Sequence, residues 1–286
     1  MDKSEILALR RAVLEKDFAR MNERQKQAVF TVNGPLLILA GAGSGKTTVL
    51  INRIANILRY GDAYNSTYLR DDLDENDIAA CKAYIENGTP LTTETQEHLS
   101  VSACAPWRIM AITFTNKAAG ELKDRLCTML GETASDIWAS TFHSTCARIL
   151  RRDGERIGYS SHFTVYDTDD QRRLMKNILK ELDISEKNIT PKSILNEISR
   201  AKDSLISPAE YALTVGDDFR LKIISRAYTT YQKRLEDADA MDFDDLINKV
   251  VELFKKCPDV LEYYQNRFRY LMVDEYQDTN HAQYTF

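Results

Sequence analysis

The 286 residues carry 38 Lys and Arg against 43 Asp and Glu, a formal net charge of −5, with 43% hydrophobic and 28% charged residues. That balance fits a soluble globular chain of about two domains and excludes collagen-like, disordered and membrane-spanning classes, since no run approaches the ~20 apolar residues a span needs. Five scattered cysteines without a C-x-x-C pair, and a charged N-terminus, speak against a disulfide scaffold, a structural zinc site and a secretory leader, so a reducing cytoplasm is the expected setting.

Ile6, Leu7, Leu9, Val13, Leu14 and Phe18 recur at helical spacing and predict a helix over residues 4–20. A second helix begins at Asn22, where Asn22-x-x-Gln25 has the form of a capping box. The apolar run PLLILA at 35–40 reads as a strand buried on both faces. It leads through GAGSGKT at 41–47 into a helix over 48–60, closed by Gly61.

Residues 61–106 read as an acidic insertion, with nine acids against Arg70 and Lys82, a net −7 that leaves the remainder of the chain at +2. Helical tendency lies around 74–86 and a polar turn around 87–90. A strand over 108–115 follows, then a helix over 117–130 with Asn116 as its cap and Gly131 as its stop. Next come a strand over 137–141 and a helix over 142–152. Between 154 and 240 strand runs cease and amphipathic helices take over, clearest at 170–182, 193–201 and 218–236. A fourth apolar strand over 270–274 ends in acids. Strands alternating with helices imply an α/β fold with a parallel sheet and an inserted all-helical segment. Residues 280–286 look like the opening turns of a helix without an end, so the chain is expected to be a fragment.

Two stretches carry chemistry. Ala40, Gly41, Ala42, Gly43, Ser44, Gly45, Lys46 and Thr47 form a phosphate-binding loop between an apolar run and a helix. Small residues let backbone amides curl around phosphate oxygens, Lys46 adds a point charge for the β and γ phosphates, and the Thr47 hydroxyl suits Mg²⁺. Asp274 and Glu275 end the last strand. Asp274 is placed to serve the Mg²⁺ shell, and Glu275 to orient or deprotonate an attacking water. Together they describe a nucleoside triphosphatase.

Six blocks occur in the order found in the UvrD/Rep/PcrA group of superfamily 1 DNA helicases, which the chain resembles. They are MNERQ at 21–25, the loop at 40–47, TFTNKAA at 113–119, STFH at 140–143, MDFDDL at 241–246 and VDEYQDTN at 273–280. The resemblance covers nearly the whole chain outside about 61–106. It implies a RecA-like parallel sheet, subdomain 1A, over 1–157 and 241–286, with helical subdomain 1B inserted over 158–240. It also implies bacterial origin, ATP and Mg²⁺ as cofactors, and movement along single-stranded DNA from 3′ to 5′ beside an adjoining duplex, in repair or replication.

Carried over by residue, Gln25 resembles the glutamine that reads the adenine edge, with a capping-box role as its alternative. Gln277 would lie close to the nucleotide or the coupling machinery, and Thr48 stands where relatives often carry Arg. Thr113, Phe114, Asn116, Thr141 and His143 would meet single-stranded DNA, Phe114 by accepting a base and Thr141 and His143 through phosphate. Lys117 could also serve phosphate or be a solvated helix residue. Arg172, Arg173, Lys176 and Lys180 form a candidate basic face in 1B, and Asp242, Asp244 and Asp245 enrich a helix N-terminus. The acidic insertion is expected to point away from DNA. A second RecA-like domain, carrying arginines for the γ-phosphate, is the implied partner, and without it the chain is expected to bind nucleotide weakly and not to unwind DNA. A nucleotide-gated DNA-binding module without unwinding, or the motor half of a helicase–nuclease, are the alternatives.

Overall fold

The computed structural model describes residues 2–41, 43–185 and 189–286. In chain order its elements are α1 (Lys3–Asp17), α2 (Glu23–Phe30), α3 (Lys46–Arg59), α4 (Glu75–Asn87), α5 (Thr93–Leu99), β1 (Ile109–Thr113), α6 (Asn116–Leu130), β2 (Trp138–Thr141) and α7 (Phe142–Asp153). There follow β3 (Thr164–Val165), α8 (Thr168–Glu181), α9 (Pro191–Asp203), α10 (Pro208–Thr214), α11 (Phe219–Asp237), β4 (Ala240–Met241), α12 (Phe243–Lys256), α13 (Pro258–Arg267), β5 (Tyr270–Val273) and α14 (His281–Thr285). They fall into two units. One comprises Met1–Ser140 with Arg267–Asp274, the other Thr141–Asn266 with Glu275–Phe286.

In the first unit the sheet runs β2-β1-β5, with β1 and β5 parallel and Ile109 opposite Tyr270, Ile112 opposite Val273. All five β1 residues are buried, as a continuous apolar run demands when both faces are covered. Ile51, Ile54 and Ile57 of α3 and Leu122 and Leu126 of α6 join Ile109, Ala111 and Met272 in one core. Each Ile, Leu or Met among them contributes about 1.5–3 kcal/mol of burial.

The segment 35–40 is not a strand. Leu37 and Leu39 are 63% and 86% exposed, and no described strand runs beside them. Apolar composition sets what a segment gains on burial, but only a paired neighbour makes a strand of it. Asn116 is not the α6 cap either. Thr115 takes that place, its hydroxyl accepting from the Ala118 amide at 3.1 Å, because the helix begins one residue earlier than the pattern suggested.

The acidic segment leaves the core and returns to it at one point. Gly61 bridges Val101, with Val101 N donating to Tyr60 O (2.9 Å) and Asp62 N to Val101 O (2.8 Å). Within it α4 covers the expected helical stretch, capped by Asp74 in a capping box with Asp77 and stopped by left-handed Gly88 in the expected turn. Helix α1 holds it in place. Lys16 Nζ donates to the Tyr84 and Ile85 carbonyls (2.6 and 2.7 Å) and Arg10 to those of Tyr68 and Ser66 (2.7 and 2.5 Å). His98 Nδ1 lies 2.7 Å from Asp77 Oδ2, and that contact holds the imidazole above its ordinary range.

Gly61 has φ +59°, and a Cβ there would sit 2.1 Å from the Val101 carbonyl oxygen; Gly88 has φ +81° with nothing within 4 Å. Gly88→Ala should therefore cost only the left-handed penalty, about 1–2 kcal/mol. Gly61→Ala should cost clearly more, since the bridge must also separate. Urea denaturation of the two variants side by side measures the difference.

In the second unit Met175, Ile178, Ile194, Ile198, Tyr228 and Tyr231 of α8, α9 and α11 form the core. All three expected helices are present, α9 enclosing its expected span and α8 and α11 displaced from theirs by one or two residues. The insertion is not all-helical, however, because β3 and β4 pair in parallel, Thr164 opposite Ala240. That two-residue ladder satisfies backbone groups where the chain enters and leaves the helical region, with Tyr166 N donating to Met241 O at 2.8 Å. Arg172, Arg173, Lys176 and Lys180 are all exposed on α8.

Candidate nucleotide and DNA site

The phosphate loop is built from two left-handed glycines, Gly43 (φ +74°) and Gly45 (φ +86°), and Ser44 is turned back on Gly41 through N–H and Oγ bonds to its carbonyl (3.3 and 2.7 Å). Ala42 lies outside the described residues. Helix α3 starts at Lys46, two residues before the expected start. Asp2, Asn22 and Thr141 each cap a helix with a side chain, whereas Gly45, the N-cap of α3, makes no side-chain cap bond. The N-terminus of a helix is a ready-made place for an anion.

Gln25 takes the capping role considered for it and also bonds to the phosphate loop. Its Oε1 accepts from Asn22 N (3.0 Å), completing the capping box of α2, while its Nε2 donates to the Ser44 carbonyl at 3.1 Å. The capping role fixes the side chain, and the free end of its carboxamide lies on the phosphate loop. Ala40, Gly41, Gly43, Ser44 and Thr48 are exposed, while Gly45, Lys46 and Thr47 are half-buried.

Lys46 opens α3 and Asp274 follows β5, and both elements pack into the same core. The Asp274 amide donates to Ile112 O at 2.9 Å, extending the β1–β5 ladder by one bond, so the acid is set at the carboxyl end of a parallel strand, where ligands of such sheets bind. Thr113 closes β1 and is buried, its hydroxyl donating to Thr115 O (3.2 Å); Phe114 is half-buried and Asn116 and Lys117 exposed.

In the second unit Glu275 adopts φ +53°, unusual for a residue with a Cβ, and starts a tight turn. Asp278 N donates to its carbonyl (2.9 Å), Gln277 Nε2 donates to its carboxylate (2.5 Å), and Thr279 Oγ1 donates to Tyr276 O (2.8 Å). Asn280 then caps α14. Thr141 is buried as the α7 cap, its hydroxyl accepting from Ser144 N (3.2 Å) and donating to Ser144 Oγ (2.9 Å). His143 is half-buried edge-to-face with Phe243, the ring centroids 5.9 Å apart. Burial lowers its affinity for a proton, partly offset by Asp203, so a neutral imidazole is the form on offer at pH 7.

One feature of this unit escaped the sequence pattern. Lys202, fully buried, lies 2.8 Å from Asp242 and 2.9 Å from Asp245. Burial disfavours its charge, but the two carboxylates outweigh that and keep it an ammonium. Burial also pushes Asp244 up to about 6. The signal was present: Lys202 continues the i, i+4 stripe of Ile194 and Ile198 on α9.

The sequence profile of the UvrD/REP helicase N-terminal domain matches residues 21–69 and 89–286. The chain belongs to that family. It is 44% identical over 264 residues to the ATP-dependent DNA helicase PcrA of Bacillus subtilis (strain 168), covering 92% of this chain and 30% of that protein. It is 43% identical over 265 residues to PcrA of Staphylococcus aureus (strain Mu50 / ATCC 700699) and over 266 to PcrA of Leuconostoc citreum, in each case covering 93% of this chain and 30% of the relative. The chain thus spans about 30% of the length of these relatives. The unmatched internal stretch is 70–88, narrower than the 61–106 expected, because the chain on either side of α4 still fits the UvrD/REP profile. No helix among the described residues is long and apolar enough to cross a membrane.

Proposed function

We propose that this chain is the N-terminal, ATP-binding part of an ATP-dependent DNA helicase that moves 3′ to 5′ along single-stranded DNA in bacterial cytoplasm, acting in DNA repair or replication. The observation that carries the reading is the loop leading into α3, where two left-handed glycines, Gly43 and Gly45, precede the helix N-terminus and the carboxamide of Gln25 donates to the Ser44 carbonyl. Residues 1–157 and 241–286 would form subdomain 1A, 158–240 subdomain 1B, and a second RecA-like domain the other wall of the nucleotide site.

In this reading the α3 amides and Lys46 receive the β and γ phosphates, and Gln25 reads the base. Among the described residues no cluster of three His, Cys, Asp or Glu could hold a metal. One hydroxyl and one carboxylate, Thr47 and Asp274, instead suit Mg²⁺, which keeps water and phosphate oxygens in its shell. Bound Mg²⁺ offsets charge on the transferring phosphoryl group. Glu275 takes the proton of the attacking water, oriented by Gln277. Thr113, Phe114 and Asn116 with Thr141 and His143 receive the DNA strand, Phe114 by stacking and His143 by a neutral hydrogen bond to phosphate.

Titration calorimetry of the chain with Mg-ATP tests this. Lys46→Ala should weaken binding by ~10–100-fold, the loss of one charge-assisted hydrogen bond of about 1.5–3 kcal/mol. Equal affinity for the variant and the parent would overturn the proposal.

A further inference from the structure

Behind His143 lies a polar cavity of about 130 Å³ whose lining includes His143, Lys202, Asp203, Asp244, Asn248 and Asn280. Three elements, α9, α12 and α14, meet His143 of α7 there. Asp203 lines it beside His143. Its Oδ1 accepts from Asn280 Nδ2 at 2.5 Å, and its charge raises the affinity of the His143 imidazole for a proton against the effect of burial. Asn280 is tied to Gln283 as well, its Oδ1 accepting from Gln283 N (2.8 Å) and its own amide donating to Gln283 Oε1 (3.0 Å). Asn280 also ends the tight turn that begins at Glu275, so a shift of its side chain moves that turn as a body.

The mount of Asp203 is rigid. Its neighbour Lys202 is locked between Asp242 and Asp245, which anchors the end of α9 to the start of α12. The cavity also has spare acceptor capacity, because Asn248 Oδ1 is buried without a hydrogen-bond partner among the described residues. A carboxylate bonded to a carboxamide and sharing a cavity with an imidazole can redistribute its two oxygens when the imidazole changes partner, and the cavity gives the side chains room to do so.

We propose that Asp203 is a positioning residue that links the DNA-contacting His143 to the turn carrying Glu275, through Asn280. The link rests on the DNA and ATP roles proposed above. When a phosphate draws on His143, Asp203 is pulled toward the imidazole and its hold on Asn280 slackens, which resets the Glu275 turn. DNA occupancy is thereby read at the hydrolytic acid without a contact between DNA and that acid. The coupling is reciprocal: the state of the turn alters the grip on DNA by the same factor.

The test uses the 286-residue chain, a 15-nucleotide oligo-dT and two variants, Asp203→Ala and Asp203→Asn. Hydrogen exchange reports on amides 278–283, and the imidazole NMR signal reports on His143, which Lys202, Asp203 and Asp244 face as charged or titratable groups from α9 and α12. In the parent chain, oligo-dT should change exchange at 278–283 by ~3-fold or more, an effect of the size expected for modest site coupling. Asp203→Ala should abolish that response and move the His143 midpoint further down while still binding oligo-dT. Asp203→Asn, which keeps an acceptor for Asn280, should restore part of the response. Binding of oligo-dT without any response at 278–283, or an undiminished response in Asp203→Ala, would overturn the link alone. Absence of oligo-dT binding by the parent chain would overturn the DNA reading and the link with it.

Discussion

Lys202→Ala is expected to lower the unfolding free energy by about 3–5 kcal/mol, the loss typical when one partner of a buried ion pair is deleted. The ammonium sits 2.8 and 2.9 Å from two carboxylates that are themselves almost wholly buried, and no water layer is at hand to take over its role. Tyr231 and Gln232 also donate to Asp242 and Asp245, at 3.0 and 3.3 Å, but neutral donors cannot cancel two charges. Removing all three charges together, with Lys202→Met, Asp242→Asn and Asp245→Asn, should recover most of the loss, since Asn at 242 keeps the acceptor that caps α12. Urea midpoints followed by helical circular dichroism compare the two. A single variant within 1 kcal/mol of the parent would mean that the acids take up protons at no cost.

How far these features were legible depends on whether a neighbour in sequence or a neighbour in space decides them. The cap of α2 and the turn that ends α4 were readable because Asn22 with Gln25, and the polar residues around Gly88, act within a few residues. The turn of the 40–47 loop was readable for the same reason, its glycines being needed for left-handed backbone on the spot. The segment 35–40 was misread because its pattern is that of a buried strand, while pairing is decided by a distant part of the chain. Asp242 and Asp245 were read as dipole acids since their partner, Lys202, lies forty residues away in sequence and looks solvated until it is placed on the apolar stripe of α9. Gln25 was posed as either cap or ligand reader; the structure shows the cap, and the other end of the carboxamide donates to the Ser44 carbonyl.

In a protein of the relatives' length that carries this chain, Glu275→Gln is expected to cut DNA-stimulated ATP turnover by ~10²–10⁴-fold, the usual worth of a positioned general base. Affinity for Mg-ATP should stay within ~3-fold, because the group lost acts on the water and not on the bound phosphates. The substitution suits the local geometry. Gln is isosteric with Glu, it meets the same φ of +53°, and its carboxamide oxygen can still accept from Gln277 Nε2, so the turn and the α14 cap that follows it persist. What changes is basicity alone. Lys46→Ala makes the opposite cut, removing a phosphate contact and leaving the acid in place. Turnover lost with binding kept in one variant, and binding lost in the other, would separate chemistry from grip at two positions belonging to different units of the chain. A coupled ATPase assay beside titration calorimetry reads both quantities. Undiminished turnover in Glu275→Gln would remove this carboxylate from the reaction and leave water activation to be sought elsewhere in the acidic turn.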